Sequence, residues 1–320
     1  SAPIEGGSNP TLNGALPDNA EVNDFAISPD STKVVYNADQ NVVGLDELFS
    51  VPITGGSSTG LNGTLQASGA VGDFAISADS SRVVYRADQD TDDAFELYSV
   101  PIGGGADVRL NNPLVAGRTV TADFAITADS AWVVYRADEN TNDVDELFVA
   151  PLAGGTARQL NGSLNGGDVI GMTLSPDSTH AVYFADQRTN DVFELFSVPL
   201  ERGNDERLTG SFPIGGDASP AYLVSNDGER LVYLGDQVKN GVDELFSVSI
   251  RSKCDGKFAH YVGTGGDDVI TGTDDPDVFV TFDGNDTVYA KGAGDTICGG
   301  SGSDILKGGK GRDIIYGGSG

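Results

Sequence analysis

The chain has 320 residues, with 48 Asp and Glu against 19 Lys and Arg, for a net charge of −29 at pH 7. That balance argues against a nucleic-acid or anionic-membrane partner, because phosphate surfaces are bound by clustered Lys and Arg. Two His leave little room for His-rich catalysis or zinc chemistry, and no apolar run approaches the ~20 residues that span a bilayer. What remains is a solvated acidic surface, a divalent-cation site, or both.

The chain opens SAPIEGGSNPTLNG (1–14), which aligns without gaps to SVPITGGSSTGLNG (50–63). It therefore begins inside a repeat, with neither an initiator Met nor the basic-then-apolar pattern of a secretory signal. Two readings stay open: residues 1–14 supply the outer strand of the last repeat and close a ring, or further repeats precede Ser1.

Five copies of one unit follow. DFAISPDSTKVVYNADQ (24–40) recurs four times, with turn aspartates at Asp30, Asp79, Asp129, Asp177 and Asp227, spaced 49, 50, 48 and 50 residues apart. Glu47, Glu96, Glu146, Glu194 and Glu244 of the ELFSVP block keep the same intervals. FAIS and VVY are β-branched and aromatic runs separated by an Asp-containing turn; a second hairpin leads into ELFSV. A short strand near LNG makes four per unit, the signature of a propeller blade. S-P-D-S/G, VVY-x-AD, ELFSVP-x-x-GG and LNG resemble the repeats of TolB-like β-propellers over residues 1–250. The expected architecture is all-β, with five visible blades and an N-terminal partial repeat. The resemblance implies a fold and leaves activity open.

Between the second and third strands lie acidic loops that begin at Asp39, Asp88, Asp138, Asp186 and Asp236. Asp88, Asp90, Asp92 and Glu96 are spaced almost like the start of an EF-hand loop. Other copies place Val43, Arg188 or Val238 there, so the favoured reading is a carboxylate that ties down the hairpin through backbone N–H groups. The ELF Glu is open to a role as a hydrogen-bond partner between blades.

After a linker at 251–262, composition shifts to Gly and Asp. Asp268, Asp277, Asp286, Asp295, Asp304 and Asp313 recur every nine residues, each followed two places later by an apolar residue: Ile270, Phe279, Val288, Ile297, Leu306 and Ile315. GGSGSDILK (299–307) and GGKGRDIIY (308–316) match GGxGxDxUx at every fixed position; the four earlier copies are degenerate. Residues 263–320 resemble the RTX (hemolysin-type) calcium-binding repeats. The resemblance implies a parallel β-roll in which repeats i and i+2 stack, placing Asp286 near Asp304 and Asp295 near Asp313. The expected Ca²⁺ set is Asp286, Asp295, Asp304, Asp313, Gly299, Gly302, Gly308 and Gly311, with Asp268 and Asp277 as weaker members. Carboxylate and carbonyl oxygens are the hard ligands calcium prefers, and a core this thin implies folding coupled to metal. The final GGSG (317–320) starts a seventh nonapeptide, which suggests truncation.

Cys254 and Cys298 are too few for a disulfide framework; one bridge or two free thiols both fit. His180 occupies a strand position held by Lys33, Arg82, Trp132 and Arg230 in the other copies, which suggests a solvent-facing side chain, and His260 lies in the linker. There is no nucleophile elbow, and acids repeated in every blade behave as structural residues, so no enzymatic activity is expected. The expected protein is a secreted, non-catalytic calcium binder, exported from a bacterium by a type I system as the RTX resemblance implies. Its propeller would bind an extracellular protein or polysaccharide. The alternative is the propeller and RTX portion of a secreted hydrolase or lyase with its catalytic domain elsewhere.

Overall fold

The computed structural model describes residues 11–115, 117–201 and 203–320. The expected strand at Ser1–Ile4 lies outside them. By backbone contacts the chain divides into two compact units, Ser1–Gln159 and Leu160–Gly320.

The first unit holds three blades. The first comprises β1 (Val22–Ile27), β2 (Lys33–Ala38), β3 (Glu47–Pro52) and β4 (Thr59–Gly60). The second is β5 (Val71–Ile76), β6 (Arg82–Ala87), β7 (Glu96–Pro101) and β8 (Val108–Arg109). The third is β9 (Val120–Ile126), β10 (Trp132–Ala137), β11 (Glu146–Pro151) and β12 (Arg158–Gln159). Each is an antiparallel meander in chain order. The second unit opens with a fourth blade: β13 (Val169–Leu174), β14 (His180–Ala185), β15 (Glu194–Pro199) and β16 (Glu206–Arg207). The fifth blade has three strands, β17 (Ala218–Val224), β18 (Arg230–Gly235) and β19 (Glu244–Ser249).

The repeated letters have repeated jobs. The Tyr of VVY stacks on the aromatic residue of ELF or ELY in every blade, at ring-centroid distances from 5.1 Å for Tyr183–Phe196 to 5.5 Å for Tyr135–Phe148. Its hydroxyl meets the side chain four residues on, as in Tyr36 to Gln40 at 2.7 Å and Tyr183 to Gln187 at 2.8 Å. The Leu of ELF faces the next sheet: Leu48 joins Val83 and Tyr85 of the second blade, and Leu97 joins Val133 and Tyr135 of the third. Leu195 likewise joins Leu231 and Tyr233 of the fifth. These three Leu are fully buried, each worth about 1.5–3 kcal/mol of apolar transfer, whereas Leu245 of the fifth blade is exposed.

The turn aspartates work locally. Asp30 accepts from the Ser28 hydroxyl at 2.6 Å and the Thr32 N–H at 3.0 Å. The same box recurs at Asp79 and Asp129, and at Asp79 these bonds, the Ser77 hydroxyl first, draw the carboxyl down to about 2. The Asp30 N–H in turn donates to the Ser80 hydroxyl of the next blade at 3.0 Å.

The histidine expectation is corrected, and the open cysteine question is decided. His180 is buried, at 8% exposure, and is not solvent-facing. Its sequence equivalents Lys33, Arg82 and Trp132 are half-buried and Arg230 is exposed, but here Arg251 reaches the adjoining turn, binding Asp177 at 3.0 Å and Thr179 at 3.1 Å. Burial, then the Arg251 charge, lowers His180 to about 4. Cys254 and Cys298, left open above, form a disulfide.

Beyond the blades, β20 (Lys253–Cys254) and β21 (Lys257–Phe258) form a small hairpin. Seven short strands follow: β22 (Tyr261–Val262), β23 (Val269–Thr271), β24 (Val278–Val280), β25 (Thr287–Tyr289), β26 (Thr296–Cys298), β27 (Ile305–Lys307) and β28 (Ile314–Tyr316). They alternate between two parallel sheets, β22-β24-β26-β28 and β23-β25-β27. Two nonapeptides thus make one coil of a β-solenoid, as expected. Phe279, Val288 and Ile297 fill the space between the sheets with no exposure, joined by Ile270 and Leu306. Ile315, in the last repeat, remains 44% exposed.

Candidate metal centre

Strand pairing sets which carboxylates meet. Thr287–Tyr289 lies in register with Ile305–Lys307, and Thr296–Cys298 with Ile314–Tyr316, so Asp286 stacks on Asp304 and Asp295 on Asp313. Each Asp uses Oδ1 to bind the N–H of the Asp one coil earlier. Asp268 N donates to Asp286 at 2.8 Å, and Asp286 N donates to Asp304 at 2.9 Å. The other ladder runs from Asp277 N to Asp295 at 2.8 Å and from Asp295 N to Asp313 at 3.0 Å. Each ladder aligns like charges one above another at the entry to its own sheet, an arrangement that costs energy unless a cation offsets it.

The second oxygen separates the repeats into two kinds. In the first two, a threonine occupies it. Thr264 donates its N–H at 2.6 Å and its hydroxyl at 3.0 Å to Asp268 Oδ2; Thr273 does the same to Asp277 Oδ2 at 2.7 and 2.9 Å. In the later repeats Asp286 Oδ2 and Asp304 Oδ2 are buried with no hydrogen-bond partner, and Asp286 as a whole is 1% exposed. A buried carboxylate oxygen without a donor costs kilocalories unless a cation supplies the counter-charge.

Backbone conformation follows the same division. From the third repeat on, the second and fourth turn positions have positive φ: Phe282 and Gly284, Lys291 and Ala293, Gly300 and Gly302, Gly309 and Gly311. The equivalent residues of the first two repeats, Thr264 and Gly266, Thr273 and Asp275, do not. Gly302 (φ 124°) and Gly311 (φ 120°) carry a second constraint, since a Cβ there would collide with the carbonyl oxygens of Gly284 and Ala293 one coil below. Gly299 and Gly308 serve differently: a Cβ on Gly299 would sit 2.8 Å from Asp304 Oδ2 and 2.9 Å from the Gly317 carbonyl oxygen, and one on Gly308 would press on Asp313 Oδ2. The first glycine of each consensus repeat therefore keeps the space in front of the aspartate clear.

The structure accordingly brings together Asp286, Asp295, Asp304 and Asp313 in one type of turn, with Gly299, Gly302, Gly308 and Gly311 shaping it. Asp268 and Asp277 stack in the same ladders but sit in turns of a different kind. Sequence reasoning missed Thr264 and Thr273, although a hydroxyl at the second turn position, where the consensus has Gly, was the available signal. Among the described residues no three His, Cys, Asp or Glu side chains converge as a metal cluster. A cation in the roll would therefore draw on main-chain carbonyls as well as carboxylates, the mixed oxygen set that suits Ca²⁺.

The acids of the blade hairpins form no comparable site. Asp88 Oδ1 accepts from Ala70 N at 2.6 Å and Oδ2 from Asp93 N at 3.2 Å. Asp90 and Glu96 share Arg109, at 3.2 and 3.3 Å. Asp92 accepts from the Ser68 hydroxyl at 2.6 Å. The Glu of ELF pairs with its own blade's outer strand in the second and fourth blades, Glu96 with Arg109 at 3.3 Å and Glu194 with Arg207 at 2.9 Å, whereas Glu47 accepts from Asn41 and Glu146 from the Asn140 N–H.

Comparison with known proteins agrees with this geometry. Residues 262–297 and 299–320 match the RTX calcium-binding nonapeptide repeat, in four copies. No curated protein matches the chain. Among solved structures, the chain is similar to TolB from Agrobacterium tumefaciens, with a TM-score of 0.44, 16% identity, and coverage of 72% of this chain and 77% of that one. It is also similar to dipeptidyl peptidase 4 of Porphyromonas gingivalis, with a TM-score of 0.53, 10% identity, and coverage of 66% of this chain and 33% of that one. At that identity the second likeness speaks to the propeller fold alone. The chain thus joins β-propeller blades to a C-terminal tract of RTX calcium-binding repeats.

Proposed function

We propose that this is a secreted, non-catalytic calcium-binding protein whose RTX tract folds around Ca²⁺ and whose blades serve as an extracellular binding or structural module. The observation that carries the calcium assignment is the buried, partnerless Oδ2 of Asp286 and Asp304, the latter in a turn that Gly299 keeps clear. Asp286, Asp295, Asp304 and Asp313 would hold the ions together with turn carbonyls. Bound Ca²⁺ supplies the positive charge that offsets the stacked carboxylates. The chain's own part is to order the turns: Gly302 and Gly311 take the left-handed backbone, and Val288, Ile297 and Leu306 bury the strands behind them.

RTX repeats are typical of secreted proteins, and no helix among the described residues is long and apolar enough to cross a membrane. The repeats support secretion, with type I export from a bacterium as the proposed route. Outside the cell Ca²⁺ is abundant enough to trigger folding. The non-catalytic reading rests on the engagement of the recurring blade acids in hydrogen bonds within their own hairpins. An extracellular protein or polysaccharide is the proposed partner class. The test is calcium titration by isothermal calorimetry: saturable binding at more than one site, lost when Asp286 and Asp304 are both changed to Ala, supports the assignment. An unchanged isotherm in that variant overturns it.

A further inference from the structure

The disulfide is placed where it acts on the calcium sites. Cys254 sits on the hairpin that follows the fifth blade and Cys298 ends the fourth nonapeptide, so the bond closes a loop of 44 residues enclosing Asp268, Asp277, Asp286 and Asp295. Cys254 is 1% exposed and packs with Ala259, Val262, Val278 and Val280, which line the first coils of the roll. The hairpin is itself anchored to the fourth and fifth blades. Arg251 binds Asp177 and lies 3.5 Å over the Phe258 ring. The Ser252 hydroxyl donates to Glu206 at 2.6 Å, and Asn204 brackets Val262, accepting from its N–H at 2.8 Å and donating to its carbonyl.

The enclosed loop contains both kinds of turn. Its first two repeats fill the Oδ2 atoms of Asp268 and Asp277 with donors from Thr264 and Thr273, without a metal. The next two carry Asp286, which has a buried oxygen open to one, and Asp295. One bond therefore ties the metal-independent coil to the start of the metal-dependent stack.

We propose that the Cys254–Cys298 disulfide and calcium binding are reciprocally coupled, so that oxidation raises the calcium affinity of the roll and bound calcium protects the disulfide from reduction. The inference rests on the calcium reading above. Because folding and metal binding are one equilibrium here, whatever restricts the unfolded tract raises apparent affinity. Closing a loop of this length shifts the folding equilibrium by up to about a thousandfold on the chain-entropy account. Shared among two to four ions bound together, that is roughly a 5- to 30-fold shift of the calcium midpoint. Linkage requires calcium to oppose reduction to the same degree. Reduction passes two electrons and two protons from a dithiol to the Sγ–Sγ bond, leaving two thiols in the protein and one disulfide on the reagent. A reducing, calcium-poor compartment would thus hold the tract unfolded, and an oxidising, calcium-rich one would fold it.

The test uses the full chain, titrated with CaCl2 while far-ultraviolet circular dichroism is followed, oxidised and then with dithiothreitol. The Cys254→Ser/Cys298→Ser variant is run in parallel. The expected result is a 5- to 30-fold higher calcium midpoint in the reduced chain and in the variant, with the same end-point signal, and slower thiol release by dithiothreitol when calcium is saturating. If the variant fails to fold, the reduced wild-type chain carries the comparison alone. Midpoints within twofold, or thiol release at equal rates with calcium and with chelator, overturn the proposal. An oxidised chain with no calcium response would instead overturn the calcium reading itself.

Discussion

Aspartate does opposite things at the two ends of this chain. In the blade hairpins each repeated Asp spends both oxygens on backbone N–H groups: Asp39 on Glu21 and Gly44, Asp186 on Asp168 and Asp191, Asp236 on Asp217 and Gly241. In the roll Asp286 and Asp304 spend one oxygen on the ladder and leave the other buried without a donor. The charge is the same; the supply of donors is not. Where the chain provides N–H groups the carboxylate is complete and structural, and where glycine turns withhold them it needs a cation.

That contrast is most directly broken by removing calcium. A chelator should melt the roll and leave the blades' antiparallel β signal, so that scanning calorimetry shows one transition lost or sharply lowered and another retained. Indistinguishable scans with and without chelator would end the distinction. Next in size, Asp304→Ala and Asp286→Ala should each lower calcium affinity about tenfold or more, since a ligand oxygen and a ladder acceptor go together. Thr264→Ala should not change the number of ions bound. Equal effects from all three would show that the two kinds of turn are functionally one.

A blade substitution should behave in the reverse manner. Asp186→Ala strands the N–H groups of Asp168 and Asp191 and should cost about 2–3 kcal/mol of stability in denaturant melts, by the same amount in calcium and in chelator. The smallest effects are those of pH. His180 is lowered to about 4 in the fold by burial, so its neutral form is the folded form. Its stabilising contribution is complete above the unfolded value near 6.5 and is lost as pH falls from there to about 4. Asp79, drawn down to about 2 by the Ser77 hydroxyl, contributes above the ordinary carboxylate range and loses that contribution only as pH drops from about 4 to 2. Melting temperature against pH should therefore step twice, and His180→Gln should remove the upper step alone.

Much of this was legible in the letters. The 49-residue spacing and the repeated VVY and ELF blocks sufficed for four-stranded blades, and the nine-residue Asp period sufficed for a parallel roll with i, i+2 stacking, because each period dictates its own strand pairing. The hairpin role of Asp39, Asp88, Asp138, Asp186 and Asp236 was readable too, since Asx turns are local. His180 was misread because four sequence equivalents of mixed character suggested an open position, and nothing local announces that Arg251, 71 residues on, comes to lie beside it.

By itself, the sequence determined the repeat lengths, the all-β class and the two vocabularies of acid, one spread over hairpins and one massed as ten Asp against four Lys and Arg in residues 263–320. These are one-dimensional properties, carried by periodicity and composition. Tertiary structure alone decided which carboxylate oxygens are filled, that Cys254 meets Cys298, and that the first two roll turns close on threonine while the later ones stay open. Those outcomes depend on which N–H, hydroxyl or sulfur arrives within bonding distance from elsewhere in the fold, and only packing sets that distance.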